Sequence, residues 1–145
     1  MVNILRTPIL CALLLCAALL AGCGNEYREQ GPLEIIGTYT DEFGGDHQVT
    51  ATTWTSFGGM SVIHILGYDN DANYVLGQND AVKSFNPGQF ARQDWISFSG
   101  ALYYCSTVYN GATLDAAYAG QANAGNPPAG GCDAVNNFAW TRLSP

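Results

Sequence analysis

Positive charge is scarce in this sequence. Lysine and arginine together number 5 against 12 acidic residues, which gives a formal net charge of −7 at neutral pH. Nucleic-acid binding needs basic side chains that neutralise a run of phosphates, and a few scattered cations cannot do so. We therefore expect no nucleic-acid partner and little attraction to anionic lipid. An acidic surface serves solubility and could also steer cationic partners.

Catalytic and cofactor motifs are also missing. There is no Walker loop and no dinucleotide fingerprint, and residues 59–63, Gly-Met-Ser-Val-Ile, lack the second glycine of a nucleophile elbow. The 2 histidines, His47 and His64, do not suggest a zinc site. We therefore expect a non-enzymatic domain without a cofactor, and an unusual enzyme is the alternative.

The first 22 residues have the build of an export signal. Arg6 is the only charged residue among the first 25, and residues 9–20 are continuously apolar, as in a secretory signal peptide. We expect this segment to be a signal-peptide helix that is removed. The apolar run is shorter than the roughly 20 residues that a transmembrane helix requires.

Residues 20–23, Leu-Ala-Gly-Cys, resemble the lipobox of bacterial lipoproteins. The resemblance implies that Cys23 is lipidated, becomes the mature N-terminus and anchors the domain to a membrane through its acyl chains. Gly24 stands where an aspartate would resemble the inner-membrane retention signal of enteric bacteria. The expected location is therefore the cell envelope at the outer membrane, on its periplasmic face or at the cell surface. An ordinary signal with a chance cysteine is the alternative.

Two cysteines remain for the folded domain. Of the 5 in the sequence, Cys11 and Cys16 lie in the signal and Cys23 is assigned to lipid, which leaves Cys105 and Cys132 in an oxidising compartment. A disulfide between them would close a loop of about 28 residues, worth roughly 3.5 kcal/mol on a chain-entropy basis. A nucleophilic or metal-binding cysteine is the alternative.

The mature chain divides into a polar tether, residues 23–32, and one β-rich domain, residues 33–145. Runs rich in Val, Ile, Thr and aromatic residues alternate with Gly-, Asn- and Asp-rich turns, which is typical of antiparallel hairpins. We predict an all-β fold, a small antiparallel sandwich or barrel of about seven strands with one short helix. The predicted strands are residues 33–40, 48–55, 61–68, 73–78, 94–99, 102–109 and 138–143.

Two segments depart from the strand pattern. Residues 81–93 contain Asn-Pro-Gly and have no clean period, which predicts a long connection. Residues 113–122 are rich in alanine, with Leu114, Ala117 and Tyr118 at helical spacing, which predicts the short helix.

One acidic run is close to a calcium-loop template. Asp69, Asp71 and Asn73 alternate, and Asp80 follows at the twelfth position. Tyr74 replaces the glycine that the sharp turn of such a loop needs. A plain hairpin turn, which Asp and Asn favour, is the preferred interpretation, and a calcium site is the weaker alternative.

A second acidic cluster surrounds residues 43–45, Phe-Gly-Gly. Asp41, Glu42, Asp46 and His47 would together suit general acid–base chemistry or a metal, and they define the enzyme alternative. A solvated turn is the simpler interpretation. His64 lies between two isoleucines in a predicted strand, which is more typical of a half-buried structural histidine.

Residues 99–103, Ser-Gly-Ala-Leu-Tyr, are similar to a Ser-Gly-x-x-Tyr loop of small periplasmic lysozyme inhibitors, some of which are lipoproteins with disulfide-bearing antiparallel barrels. The resemblance implies that Ser99 and Tyr103 contact the active site of a lytic enzyme. A second motif associated with that family is not evident here, and an ordinary Ser-Gly hairpin turn also explains the residues.

These observations favour a membrane-anchored envelope lipoprotein with a non-enzymatic binding or structural β domain. Most of the aromatic residues, 12% of the chain, suit a core, and some could line a groove for a glycan or a protein partner. An inhibitor of a cell-wall lytic enzyme is the first alternative, and an enzyme using Asp41 and His47 is the second.

Overall fold

Eight antiparallel strands close into a barrel in which each strand pairs with its neighbours in sequence and the last strand pairs with the first. The computed structural model describes residues 31–125, 127–128, 131–132 and 139–145. The expected signal peptide, Cys23 and most of the tether lie outside these residues. The strands are β1 (Gly37–Asp41), β2 (Asp46–Val49), β3 (Thr53–Ser56), β4 (Ser61–Asp69), β5 (Tyr74–Asn79), β6 (Phe90–Phe98), β7 (Ala101–Gly111) and β8 (Thr141–Ser144).

The prediction of a small antiparallel β fold is confirmed, with eight strands in place of about seven. The additional strand arises because residues 48–55, predicted as one strand, fold back on themselves as β2 and β3. Thr50 makes the turn: its Oγ1 accepts hydrogen bonds from the backbone N–H groups of Thr52 and Thr53, at 3.2 and 2.9 Å. A run of β-branched threonines favours a strand by propensity, and this side-chain bond overrides the propensity.

The predicted long connection, residues 81–93, is also shorter than expected, because β6 begins at Phe90. Its strand pattern is hidden by Arg92, Gln93 and Asp94, polar side chains that are nevertheless buried. Arg92 and Asp94 satisfy each other on the outer face of the barrel, with an Nη2–Oδ1 distance of 2.8 Å. Composition alone cannot reveal a buried ion pair, since it is the pairing that makes the burial tolerable.

The up-and-down order places alternate turns at the same end of the barrel. The β1–β2, β3–β4 and β5–β6 connections lie at one end, called the mouth below. The β2–β3, β4–β5 and β6–β7 turns lie at the other end, the base. The base is closed by Leu33 and Ile35, both buried in the main hydrophobic core.

The interior of the lower barrel is apolar and the outer wall is covered on one side. The main core consists of Leu33, Ile35, Val49, Trp54, Ile63, Val75, Ala91, Trp95 and Leu143. Outside, the helix α1 (Leu114–Tyr118) packs Ala117 against Tyr74 and Leu76 of β5. The helix predicted at residues 113–122 is therefore confirmed in a shorter form, capped by the Thr113 side chain.

A disulfide joins Cys105 to Cys132, with 5.8 Å between their Cα atoms, which confirms the predicted bridge. Both cysteines are buried against Trp140, whose Nε1 donates a 2.8 Å hydrogen bond to the carbonyl of Asn123. The chain that follows α1 is thus held against β7. Across the described ranges, no helix has the length and apolar character needed to span a membrane.

Candidate functional site

The mouth of the barrel contains a cavity of about 140 Å³. Its floor is made by Trp54, Ile63 and Ala91, which belong to the buried core beneath. Strands β3 to β7 supply the walls, and the β5–β6 loop supplies part of the rim. The remaining lining residues are Ser56, Phe57, Ser61, Asn79, Ser84, Phe85, Asn86, Gln93, Tyr104, Ser106 and Tyr109.

The lining of this cavity is polar but carries no formal charge. Its polar groups are the amides of Asn79, Asn86 and Gln93 together with serine hydroxyls and tyrosine phenols, and no Asp, Glu, Lys, Arg or His is among the described residues that line it. Hydrogen bonds hold two of the amides in place. Ser106 Oγ donates to Gln93 Oε1 at 2.7 Å, and Asn79 Nδ2 donates to the Tyr109 carbonyl at 2.9 Å. The cavity therefore presents orientated neutral donors and acceptors.

An irregularity in β7 shapes the wall. The register between β6 and β7 shifts twice near Arg92, so that Thr107 and Val108 are both on the outer face. Thr107 donates there to the Asp94 carboxylate, and Val108 packs near α1. Because two consecutive residues point outward, as at a β-bulge, the next residue, Tyr109, points into the cavity.

Beside the cavity, His47 is the centre of a buried polar cluster that links three strands. Its Nε2 lies 3.1 Å from Asp41 Oδ2, and its Nδ1 lies 3.1 Å from Ser56 Oγ. The side chain of His47 is completely inaccessible to solvent and that of Asp41 is 3% exposed. The sequence placed Asp41 and His47 in an acidic turn. The structure brings these two together with Ser56 and leaves Glu42 and Asp46 exposed.

The tautomer of His47 follows from its partners. Trp54 Nε1 points at His47 Nδ1 from 3.2 Å, and an indole nitrogen can only donate. Nδ1 is therefore the acceptor and Nε2 carries the proton that is donated to Asp41. Serine, histidine and aspartate in contact suggest a nucleophilic triad, but such a histidine must accept the serine proton. Here a proton on His47 Nδ1 would point at the Trp54 N–H, so that two hydrogen-bond donors would face each other without an acceptor.

Asp41 is stabilised as a buried carboxylate. Its Oδ1 accepts from the backbone N–H groups of Phe43 and Gly45, at 2.9 and 2.7 Å. Burial alone raises the pKa of this carboxyl group. The hydrogen bonds from His47, Gly45 and Phe43 outweigh burial, so that the pKa of Asp41 lies below its usual value. The same hydrogen bonds close the turn between β1 and β2.

Tyr104 completes the cluster on the cavity side. Its ring centroid lies 4.9 Å from that of His47 and 5.5 Å from that of Trp54. Burial, reinforced by the Asp41 carboxylate and opposed by a hydrogen bond with Thr141, raises the pKa of Tyr104 to about 12. The phenol is therefore neutral at physiological pH, and the cavity stays uncharged.

Phe57 stands at the rim in a strained backbone conformation. Its φ is +56°, a left-handed value that is costly for an aromatic residue, and the two glycines that follow, Gly58 and Gly59, continue at positive φ. The turn is held by Gly58 N–H, which donates to Asp46 Oδ1 at 2.7 Å. The Phe57 ring consequently lies over the mouth, 5.9 Å from His47 and 6.5 Å from Phe85 between ring centroids.

The calcium-like residues do not come together. Asp69 lies at the base, where its Oδ1 accepts from the N–H groups of Asp71 and Ala72, and Asn73 has the positive φ of a turn residue. Asp80 lies at the mouth end of the same hairpin, since β5 ends at Asn79. The segment is a hairpin with its turn at the base. In the described part of the chain, no three His, Cys, Asp or Glu residues are grouped so that they could hold a metal.

Asp80 instead stabilises the β5–β6 loop at the mouth. It accepts from the backbone N–H groups of Lys83 and Val82, both at 2.8 Å, and pairs with His64 Nε2 at 2.8 Å. The hydrogen bonds from Lys83, His64 and Val82 lower the pKa of Asp80 to about 2. His64 is exposed on the outer face and does not reach the cavity.

Ser99 and Tyr103 lie at the base, at the opposite end from the cavity. Ser99 and Gly100 form the two-residue turn between β6 and β7, with φ values of +50° and +78°, as in a type I′ hairpin. Ser99 is exposed, whereas Tyr103 is half-buried and packs near the disulfide. The interpretation as a hairpin turn is therefore sufficient to explain the Ser-Gly pair.

Sequence reasoning missed most of the site. Trp54, Ser56 and Gln93 line the cavity, yet no motif connects them. The register of the barrel places Ser56 opposite His47 and Trp54 opposite Ile63, and Gln93 reaches the same cavity from β6. The alternation of side chains on each strand is the one signal that could have identified them, once the strands were known.

Fold and site together define a closed antiparallel barrel with an apolar base and, at its mouth, a cavity lined by neutral residues. Comparison with protein-family models, with curated proteins and with solved structures finds no match for this chain.

Proposed function

We propose that this chain is a lipid-anchored envelope protein whose barrel binds a small uncharged ligand in its mouth and catalyses no reaction. The anchor is the lipobox-like segment that ends at Cys23. The observation that carries the proposal is the mouth cavity, which is lined by neutral amides, hydroxyls and aromatic rings. Concave sites with a few convergent polar groups on aromatic walls are the usual places where proteins bind small molecules.

The lining determines the charge of the ligand. An ionic ligand would lose its hydration without gaining an opposite charge, since the residues that the structure describes around the cavity include no ionised side chain. A purely apolar ligand would displace water from the amides and hydroxyls and could not replace the hydrogen bonds that the water makes with them. An uncharged molecule with both hydroxyl or amide groups and an apolar face satisfies both requirements.

Binding without catalysis is supported by the Trp54–His47 contact. A general base next to Ser56 must take up the serine proton on Nδ1, the position at which the Trp54 N–H already points from 3.2 Å. The cluster instead fixes β1, β2 and β3 around the mouth.

The test is a titration of the ¹⁵N-labelled protein with uncharged ring compounds such as cyclohexanol and N-acetylglucosamine. We expect shifts confined to mouth residues, among them the Gln93 side-chain amide. Gln93→Leu should abolish them, and the control Gln48→Leu, at an exposed position of β2, should not. Shifts spread over the outer surface, or none at all, would count against a mouth site.

A serine-reactive fluorophosphonate tests the catalytic alternative directly. We expect no labelling of Ser56. Labelling that disappears in Ser56→Ala would show an activated serine, and the enzyme interpretation would then replace ours.

The exposed Ser99 turn supports a second candidate function, inhibition of a lytic enzyme. The barrel carries a disulfide, and the Ser-Gly turn at its base projects into solvent, as the resemblance to lysozyme inhibitors requires. An assay of lysozyme activity with the wild type, Ser99→Ala and Tyr103→Ala decides this case. Inhibition that both variants lose would place the function at the base, and absence of inhibition would leave the mouth as the candidate.

A further inference from the structure

The dimensions of the mouth cavity restrict how a ligand can enter. A volume of about 140 Å³ is comparable to the roughly 150 Å³ of an engineered cavity that admits benzene, so it has room for a single ring of that size. Trp54, at 2% exposure, and Ala91, at 1%, close the cavity below. The cavity is therefore blind, that is, closed at its inner end. A ligand made of several linked rings could insert its last ring but could not pass through the barrel.

The walls and the rim offer two kinds of contact. Inside, the amides of Asn79 and Gln93 face the cavity with their orientation set by Tyr109 and Ser106. Gln93 uses Oε1 to accept from Ser106, so the donor that remains in this amide is Nε2. Directional neutral groups of this kind recognise hydroxyl and acetamido substituents, because an analogue that lacks them leaves buried polar groups unpaired.

At the rim the contacts are apolar. The mouth loops carry several exposed large hydrophobic side chains, including Phe57 at 41%, Met60 at 65%, Val82 at 86% and Phe85 at 73% exposure. The Phe57 and Phe85 rings meet at 70° with 6.5 Å between centroids, directly at the entrance. Exposed aromatic faces suit the C–H face of a sugar ring that lies outside the cavity.

We infer that the mouth binds the terminal ring of a neutral glycan chain, with the last ring inside the cavity and the next ring against Phe57 and Phe85. This inference rests on the proposed function and deepens it. A sugar ring has both the hydroxyls that the neutral walls require and the apolar faces that the aromatic rim requires. The blind floor makes the site specific for a chain end.

The experiment uses the full chain purified in detergent and follows tryptophan fluorescence, since Trp54 lies in the cavity floor. The probes are N-acetylglucosamine, its β-1,4-linked disaccharide and trisaccharide, and the charged analogue glucuronic acid, each up to about 10 mM, a range that detects even millimolar affinity. We expect the neutral sugars to bind, with the disaccharide tighter than the monosaccharide, and glucuronic acid to bind at least about tenfold more weakly.

Three variants separate the inner and outer contacts. Gln93→Leu should abolish binding of every sugar. Asn86→Ala removes another amide that lines the cavity, in the β5–β6 loop, and should also impair binding while it leaves the strands unchanged. Phe85→Ala removes an exposed ring and should weaken the disaccharide about fivefold while leaving the monosaccharide within about twofold. The exposed control Gln48→Leu should bind all the sugars as the wild type does.

Four outcomes would overturn the inference. Equal binding of glucuronic acid, or sugar binding that Gln93→Leu and Asn86→Ala both leave intact, would show that the mouth does not select neutral rings. Cyclohexanol that binds in a Gln93-dependent manner while no sugar binds would refute the glycan and keep the proposed function. Absence of binding by sugars and cyclohexanol alike would refute both.

Discussion

Trp54 donates its indole N–H to Nδ1 of His47, across 3.2 Å inside the barrel. Because this bond fixes the acceptor nitrogen, the other ring nitrogen must give its proton to Asp41, 3.1 Å away. One aromatic donor thus sets the direction of a buried chain of hydrogen bonds from β3 through β2 to β1. The cluster therefore connects these three strands at the mouth.

Loss of His47 should destabilise the fold far more than loss of His64. His47→Ala removes the side-chain hydrogen-bond donor of the buried Asp41 carboxylate, a loss that typically costs about 1–3 kcal/mol and more when the acceptor is charged. His64 is an exposed member of a surface pair with Asp80, and His64→Ala should cost about 1 kcal/mol or less. Urea unfolding of residues 24–145 measures both. Equal costs for the two variants would mean that the cluster around His47 contributes no special stability.

The Asp41 carboxylate should make stability depend on acid. Its pKa is lowered in the folded protein relative to an unfolded value of about 3.9. Its contribution to stability is therefore complete above the unfolded pKa and is lost as the pH falls through the lower folded pKa. The difference in unfolding free energy between wild type and Asp41→Asn should shrink between about pH 6 and pH 2. Asp71→Asn, at an exposed turn position, is the control, and a gap for Asp41→Asn that does not change with pH would contradict the prediction.

The Cys105–Cys132 disulfide should be formed in every molecule and should stabilise the fold. Free-thiol labelling of the denatured, unreduced domain should find neither Cys105 nor Cys132. Replacing both by serine should lower the unfolding free energy by about 3.5 kcal/mol on the chain-entropy relation for a loop of this length. Full labelling of both thiols in protein isolated from the envelope would refute the bridge.

Lipidation at Cys23 is a prediction from the sequence alone. Cells that express the wild type should incorporate a palmitate analogue into the protein, and Cys23→Ala should abolish the incorporation. Cys16→Ala, within the expected signal, is the matched control and should leave labelling unchanged. Mass spectrometry that finds an unmodified Cys23 in the membrane-bound protein would contradict the assignment.

The sequence predicted those features that depend on local chemistry or on counting. Turn residues such as Ser99-Gly100 marked a hairpin, and the two cysteines left after Cys23 allowed a single pairing. The turn at Thr50 was missed because a side-chain hydrogen bond, invisible in β propensity, reverses the chain there. The burial of Arg92 was missed because it depends on pairing with Asp94.

The cavity could not be predicted from the sequence, for a different reason. Asp41 and His47 are close in sequence and were singled out, but Gln93 lies on β6, and it shares a cavity with Ser56 only once the barrel closes. Strand identity can be inferred from composition, whereas closure and register are properties of the whole sheet.

If Cys23 is lipidated as proposed, the way the chain enters the barrel would set its orientation on a membrane. Gly31 and Pro32 are held at the base, where their carbonyl groups accept from Tyr68 Oη at 2.6 Å and Asn70 Nδ2 at 2.9 Å. With Cys23 lipidated, residues 24–30 alone bridge the gap to the bilayer, at most about 23 Å when fully extended. The cavity opens at the far end, so the barrel would stand with its opening turned away from the lipid. Its ligands would then be sampled from the envelope space beyond the anchoring leaflet, and the bilayer that carries the protein would be a poor source of them.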